Sequence, residues 1–170
     1  MTTDALMMKV LKQFRVLLRS MDTHYRRVER RSGLGGAQLW ALSEISRDRG
    51  LTMGELSRKL GIRVSTASNV VKRLEELGLV GRAREKADHR IVRLAVTAAG
   101  RRTLQGAPKP SAGLLQQALL EMREAELRAL HGELDRLLRR MGHLDREGAT
   151  TLIGDLLREH EPAAPIKRGR

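Results

Sequence analysis

The sequence predicts a mainly α-helical chain that carries one small β-hairpin. Apolar residues recur at steps of three and four over long stretches of the 170 residues, which is the period of an amphipathic helix. The exception is a strongly charged stretch around residues 81–96, where Val92, Leu94 and Val96 occupy every second position. This period of two is typical of a half-buried strand, so we expect a hairpin between helices.

The first predicted element is one long helix over residues 4–31, which the sequence SGLGG at residues 32–36 ends. Its apolar residues form a single stripe, made of Met7, Val10, Leu11, Phe14, Leu17, Leu18, Met21, Tyr25 and Val28. An apolar stripe of that length needs a partner along its whole length.

Three shorter helices follow, and the last two form a helix-turn-helix. The first spans residues 37–47. Thr52 caps the second, with Glu55 as its capping-box partner, and Gly61 ends it. The third spans residues 65–77 and ends at Gly78. Its predicted buried face consists of Ala67, Val70, Val71, Leu74 and Leu77.

The opposite face of helix 65–77 is small, polar and basic. It consists of Ser65, Thr66, Ser68, Asn69, Lys72 and Arg73. Ser, Thr and Asn are mediocre helix formers, but they hydrogen-bond to base edges and phosphates, so this face favours DNA contact over an ordinary solvated surface. Arg63 stands where a capping Asp or Ser is expected. Either Ser65 caps the helix or Arg63 is held for a phosphate.

The hairpin is predicted to run from Leu79 to Arg84 and back from His89 to Val96. Thr97 then caps another helix, which the two prolines of residues 107–111 interrupt. The helical period resumes over residues 112–142 with a row of leucines, and a last amphipathic piece covers residues 146–159. The tail, residues 161–170, is predicted to be disordered and basic.

Composition narrows the function. The net charge of +13 favours a polyanionic partner, nucleic acid before an acidic membrane surface. Cysteine is absent, which excludes disulfides and thiolate metal sites, and the five histidines lack metal-ligand spacing. The motifs of nucleophile elbows, phosphate loops and zinc proteases are missing, so we expect no enzyme, no metal and no cofactor. No apolar run approaches 18 residues, so we expect a cytoplasmic, nucleoid-associated protein without a membrane partner.

Four motifs occur in a characteristic order. They are LTMGELSRKLGI at residues 51–62, STASNVVKRLEELGLVGR at 65–82, DHR within KADHRIVRLAVT at 86–97, and TAAG at 97–100. Over about residues 34–100 they resemble the MarR family of bacterial winged helix-turn-helix transcription regulators. The resemblance implies a repressor relieved by a small-molecule ligand.

The resemblance also implies an obligate homodimer on a pseudo-palindromic operator. Residues 4–33 would form an N-terminal dimerisation helix, 34–100 the DNA-binding domain and 101–160 the C-terminal dimerisation helices. Helix 65–77 would enter the major groove of double-stranded DNA, and the wing, residues 79–96, would lie in the minor groove. The wing residues so implicated are Arg82, Arg84, Lys86, Asp88 and Arg90. Arg90 would reach into the minor groove, and Asp88 would hold its orientation. The alternative is that Asp88 and Arg90 form a surface ion pair that only shapes the turn.

A small aromatic or anionic effector is the family's usual second partner. His24, Tyr25 and Trp40 are the candidates to line its site, although they are equally suited to a dimer core. Two other functions stay open. One is a nucleoid-associated architectural protein without a specific operator or ligand, and the other is a winged helix used only for protein contact.

Overall fold

A computed structural model describes residues 2–84, 91–142, 146–151 and 153 of the chain. The described residues form seven α-helices, one two-stranded sheet and a short 3-10 helix over Arg146–Thr150. In chain order the elements are α1 (Thr3–Ser32), α2 (Gly36–Arg47), α3 (Met53–Leu60), α4 (Val64–Glu76), β1 (Val80–Arg84), β2 (Val92–Val96), α5 (Ala98–Gly106), α6 (Leu114–Glu121) and α7 (Glu124–Met141). The predicted fold class, mainly α with a β-hairpin, is confirmed.

The hydrophobic core lies where α2, α3, α4 and the base of the hairpin meet. Its fully buried side chains are Val28, Leu34, Leu39, Leu42, Ile45, Leu56, Val71, Leu74 and Leu94. Leu94 belongs to β2, and its backbone N–H donates to the Leu51 carbonyl at 2.8 Å. Val80 of β1 is buried as well, so both strands of the hairpin are anchored to the core.

The predicted capping signals around α3 and α5 are confirmed. The Glu55 N–H donates to Thr52 Oγ1 at 3.3 Å, and the Thr52 N–H donates to Glu55 Oε2 at 2.8 Å, which is a capping box. Gly61 ends α3 with φ 66°. Thr97 caps α5, since its hydroxyl accepts from the Gly100 N–H at 3.0 Å.

Close packing at Gly100 joins α5 to the hairpin. A Cβ at this position would lie 2.3 Å from the Leu79 carbonyl oxygen, so only glycine allows this approach. The strands pair antiparallel from Val80 opposite Val96 to Arg84 opposite Val92. The start of β1 and the end of β2 are therefore both fixed to the helical body.

Two sequence predictions about helices are wrong in detail, and one of two alternatives for the start of α4 is excluded. Residues 112–142 are two helices, because the chain is extended at Met122 and Arg123 and the Arg123 N–H donates to Glu126 Oε2 at 3.0 Å, starting α7 afresh. Leu77 is 40% exposed, since it follows the last residue of α4 and lies in the turn. Ser65 does not cap α4, whose N-cap is Arg63 with no side-chain cap bond.

Two helices expose much of their apolar faces in the single chain, although α1 packs in part against α2, α5 and α6. In α1 only Met21, His24 and Val28 are buried, and α7 has no buried residue. The exposed apolar side chains of these helices are Leu6, Met7, Met8, Val10, Leu11, Phe14, Val16, Leu17, Leu18, Leu127, Leu130, Leu134, Leu137, Leu138 and Met141. Of the piece predicted over 146–159, residues 146–150 form the 3-10 helix, and the rest, like the tail 161–170, falls almost entirely outside the described residues.

Candidate nucleic-acid interface

The helix-turn-helix presents one face of α4 to solvent. Ala67, Val70, Val71 and Leu74 of α4 are buried against α2 and α3. The turn between α3 and α4 is held by the Ile62 N–H, which donates to the Ser57 carbonyl at 3.1 Å. Because the inner face is fixed in the core, the orientation of the outer face is fixed as well.

The outer face of α4 carries the polar and basic side chains predicted to contact DNA. Ser65, Asn69, Lys72 and Arg73 are exposed, whereas Thr66 and Ser68 are half-buried. Arg73 is also bound to its own helix, with Nη1 3.0 Å from Glu76 Oε2. The structure thus brings the predicted residues together on one surface and leaves the Ser65–Lys72 part of it open to a ligand.

The N-terminal end of α4 is suited to a phosphate. No side chain caps it, so its first N–H groups point outward with the positive end of the helix dipole. The exposed Arg63 side chain stands at the same place. An uncapped helix end beside a cation favours an anion over a protein partner.

Val64, the first residue of α4, was missed by the sequence reasoning. It is 53% exposed on the same surface as Ser65. Its spacing from Ala67 and Val71 is that of the buried stripe, but the first turn of α4 extends beyond the core. An exposed apolar side chain there can contact the methyl group of thymine.

The hairpin stands beside α4 and is joined to it by an ion pair. Arg82 of β1 donates from Nε to Glu75 Oε1 at 2.7 Å and from Nη2 to Glu75 Oε2 at 3.1 Å. Arg84 is the last residue of β1. The other wing residues of the prediction, Lys86, Asp88 and Arg90, lie outside the described residues.

Of the three predicted effector residues, the structure places Tyr25 and Trp40 around one cavity. Its volume is about 330 Å³, and its walls also include Gly36, Ile62 and Gln116. The Gln116 Oε1 atom is buried and has no hydrogen-bond partner within the described part of the chain. An unpaired acceptor in a cavity wall can take a hydrogen bond from a ligand.

His24 does not line that cavity. It is buried, its Nε2 lies 3.2 Å from the Pro110 carbonyl oxygen, and its ring packs edge-on against Tyr25 with centroids 6.0 Å apart. Burial lowers the pKa of His24 below its usual range, the Pro110 hydrogen bond opposes this, and Arg27 adds to the lowering. A neutral, hydrogen-bonded histidine fits a packing role between α1 and the loop before α6.

A second cavity, between α2 and α5, is basic and was not predicted. It has a volume of about 520 Å³, and its walls include Arg47, Arg101 and Lys109 together with Ser43 and Ser46. No single sequence motif marks it, because the three cations come from α2, α5 and the loop after α5. Arg47 is paired with Glu44, and Arg101 also donates to the Val96 carbonyl at 2.9 Å, so Arg101 and Lys109 with the serines are the groups that suit an anion.

Within the described ranges, no cluster of three or more His, Cys, Asp or Glu residues could hold a metal ion. The same residues contain no helix long and apolar enough to cross a membrane.

A buried helix-turn-helix followed by a two-stranded hairpin defines a winged helix-turn-helix. Residues 32–91, which include α2, α3, α4 and β1 but end before β2, match the family model described as MarR family. The resemblance to that family is therefore confirmed over residues 32–91, which contain the first two motifs and DHR, whereas the end of the third motif and TAAG lie beyond the matched segment. Among curated proteins, none matches the chain.

Solved structures of regulators share this fold. A MarR family protein from Bacillus stearothermophilus is 23% identical, with 84% of this chain and 100% of that chain covered and a TM-score of 0.52. The transcriptional regulator BldR from Sulfolobus solfataricus is 23% identical, with coverages of 82% and 99% and a TM-score of 0.51. FabT from Streptococcus pneumoniae, solved in complex with DNA, is 18% identical, with coverages of 83% and 98% and a TM-score of 0.50. At these identities the likeness establishes the fold.

Proposed function

We propose that the protein is a sequence-specific, double-stranded DNA-binding transcription regulator that acts as a homodimer. The observation that carries this proposal is the outer face of α4, where Ser65, Asn69 and Lys72 are exposed beside an uncapped helix end. Such a helix presents hydrogen-bonding groups to the major groove from its N-terminal part. The DNA complex of FabT, a structure of the same fold, supports this function.

The side chains divide into two roles. Ser65, Thr66, Ser68, Asn69 and the exposed Val64 would contact base edges, and would therefore select sequence. Arg63, Lys72 and Arg73 would contact phosphates and supply affinity that depends on salt. Within the wing, Arg84 and Lys86 would add phosphate contacts, and Arg90, held by Asp88, would enter the minor groove.

The homodimer is proposed from the exposed apolar faces of α1 and α7. Residues 4–33 and 101–160 would supply the dimer interface, and residues 34–100 would bind DNA. A dimer would cover side chains such as Leu11, Phe14 and Leu134, which are each at least 37% exposed in the single chain. Exposed apolar surface on that scale marks an interaction site.

An effector would bind in one of two cavities, the one that Tyr25 of α1 lines or the one between α2 and α5. Tyr25 and Trp40 offer aromatic surface in one cavity, and Arg101 and Lys109 offer positive charge in the other. The first cavity suits an aromatic compound and the second an anionic one. The effector would release the operator if it bound more tightly to a dimer with the wrong spacing of recognition helices, which makes the protein a repressor that its ligand relieves.

The test is a titration of the protein against DNA from upstream of its own gene and against scrambled DNA, at two salt concentrations. We expect at least about a hundredfold preference for the upstream DNA, in line with the specificity of site-specific regulators. Arg90→Ala should lower affinity and reduce the slope of log affinity against log salt, because one cation fewer then displaces counterions from the DNA.

Equal binding of both DNAs with a steep salt slope would contradict a specific regulator. That outcome favours the alternative function, a nucleoid-associated architectural protein without operator or ligand, which the net charge of +13 also suits. Absence of DNA binding would leave the third function, a winged helix used for protein contact.

A further inference from the structure

We propose that Glu75 and Arg82 form a positioning pair that fixes the wing relative to α4, the recognition helix of the proposed DNA complex. Arg82 then acts through Glu75, and does not contact a phosphate. This inference rests on the proposed DNA-binding function, and it reassigns a residue that the sequence places among the wing cations.

The geometry of the pair is that of a fork. Two guanidinium nitrogens of Arg82, Nε and Nη2, donate to the two carboxylate oxygens of Glu75 at 2.7 and 3.1 Å. Two parallel bonds fix orientation as well as distance, unlike a single ion contact. The Glu75 side chain is 26% exposed and the Arg82 side chain 46%, so water screens the pair only in part.

The pair connects two elements at the point where β1 leaves the core. Val80 is 3% exposed, but Arg82 and Ala83 are exposed. The base of the hairpin is already held, because the Thr97 hydroxyl donates to the Gly78 carbonyl at 2.8 Å. Arg82 lies two residues beyond Val80, about 7 Å along the strand. Its bond to α4 therefore restrains the outer part of β1, which leads to the wing segment with Lys86 and Arg90.

Charge gives the pair a second effect. Glu75 lies on the recognition helix, where an unpaired carboxylate would repel phosphates. Arg82 neutralises it, and would have to break two charge-assisted bonds to reach a phosphate itself. Holding the wing in place before binding lowers the ordering cost of binding and so raises affinity.

The two roles of Arg82 predict opposite effects of Glu75→Gln. If Arg82 contacts DNA, this change frees it and removes a negative charge, so affinity rises. If the pair positions the wing, affinity falls, by about threefold to tenfold for the loss of one partly buried ion pair. The probe is the duplex that the full-length wild-type protein enriches most from a random library, and affinity is measured by fluorescence anisotropy.

Three further variants complete the test. Glu76→Gln makes the same charge change one residue away, on a carboxylate that pairs within α4, and we expect equal or tighter binding. Arg82→Lys keeps the charge but lacks the fork, so we expect the same loss as for Glu75→Gln. The exchange Glu75→Arg with Arg82→Glu rebuilds the pair at unchanged net charge and should return affinity to within about twofold of wild type.

Circular dichroism and urea unfolding establish whether each variant is folded at the assay temperature. If Glu75→Gln is unfolded, the affinity of the exchange variant decides between the two roles of Arg82. Tighter binding by Glu75→Gln, or wild-type affinity of Arg82→Lys, would overturn the positioning role while leaving the proposed function intact. Failure of the wild-type protein to enrich any duplex would instead overturn the proposed function, and this inference with it.

Discussion

At the scale of single residues, Gly36 and Tyr25 determine how α1 meets α2. A Cβ at Gly36 would lie 2.1 Å from Tyr25 Cδ1 and 2.2 Å from Cε1, so the tyrosine ring lies directly on the glycine. Both residues also line the cavity with Trp40. The absence of a side chain at Gly36 therefore shapes both the helix contact and the wall of the candidate effector site.

We predict that Gly36→Ala destabilises the protein by about 1–3 kcal/mol, because the added methyl group forces the ring away. Gly54→Ala is the matched control. Gly54 is also near the start of a helix, but no atom lies within 4 Å of a Cβ there, and alanine should be neutral or stabilising by up to about 1 kcal/mol. Urea unfolding followed by circular dichroism measures both. Equal shifts for the two variants would show that the ring does not occupy this position.

At the scale of elements, α3 and α4 differ in how they begin. Thr52 and Glu55 satisfy the first N–H groups of α3, whereas Arg63 leaves those of α4 without a side-chain cap. The uncapped end destabilises the helix, but it leaves its N–H groups available to a phosphate. The difference fits the proposed roles, since α3 supports the motif and α4 would contact DNA.

We predict that Arg63→Ser stabilises the protein and weakens DNA binding. Arg63 is extended, with φ −66° and ψ 149°, so a serine there can accept from the Thr66 N–H and gain about 1 kcal/mol. Loss of one phosphate contact should lower the slope of log affinity against log salt by about 0.9. Urea unfolding and anisotropy titrations measure the two effects. Arg136→Gln, the same charge change on α7, should leave the salt slope unchanged.

If Arg63→Ser binds DNA with wild-type affinity and an unchanged slope of log affinity against log salt, Arg63 does not contact DNA. A variant that is less stable than wild type would instead show that the arginine supports the fold.

At the scale of the whole molecule, the described chain is a core of short helices from which two amphipathic helices extend. α7 makes no extensive contact with another described element, yet Leu130, Leu134 and Leu137 lie on one of its faces. Helices with one exposed apolar stripe owe their stability mainly to packing. The single chain therefore lacks the surface that would stabilise α7, and a second copy would supply it.

We predict that Leu137→Glu converts a dimer to a monomer, because a carboxylate in the interface loses its hydration without gaining a partner. Sedimentation velocity measures the mass, and DNA affinity should fall with it, since only a dimer spans two half-sites about 34 Å apart. Arg136→Gln makes the same charge change on a side chain that is 66% exposed and pairs with Glu133, so it should stay dimeric. A dimeric Leu137→Glu variant would place the interface elsewhere.

The sequence by itself determined the elements whose signals are local. The caps at Thr52, Gly61 and Thr97 each depend on residues within three positions, and the period of two in Val92, Leu94 and Val96 marks β2 directly. The same periodicity separated the buried from the outer face of α4. Periodicity did not predict the break at Met122 and Arg123. The leucines of α6 and of α7 both follow the helical period, so the sequence pattern continues across the break.

Only the tertiary structure decided which side chains meet across elements. Arg82 looks like any other wing cation in the sequence, and its fork with Glu75 follows from the hairpin folding back beside α4. The exposure of Val64 and Leu77, the burial of His24 against Pro110 and the basic wall of Arg47, Arg101 and Lys109 have the same origin. The physical reason is that hydrogen bonding in caps is local, whereas burial and ion pairing depend on the packing of segments distant in sequence.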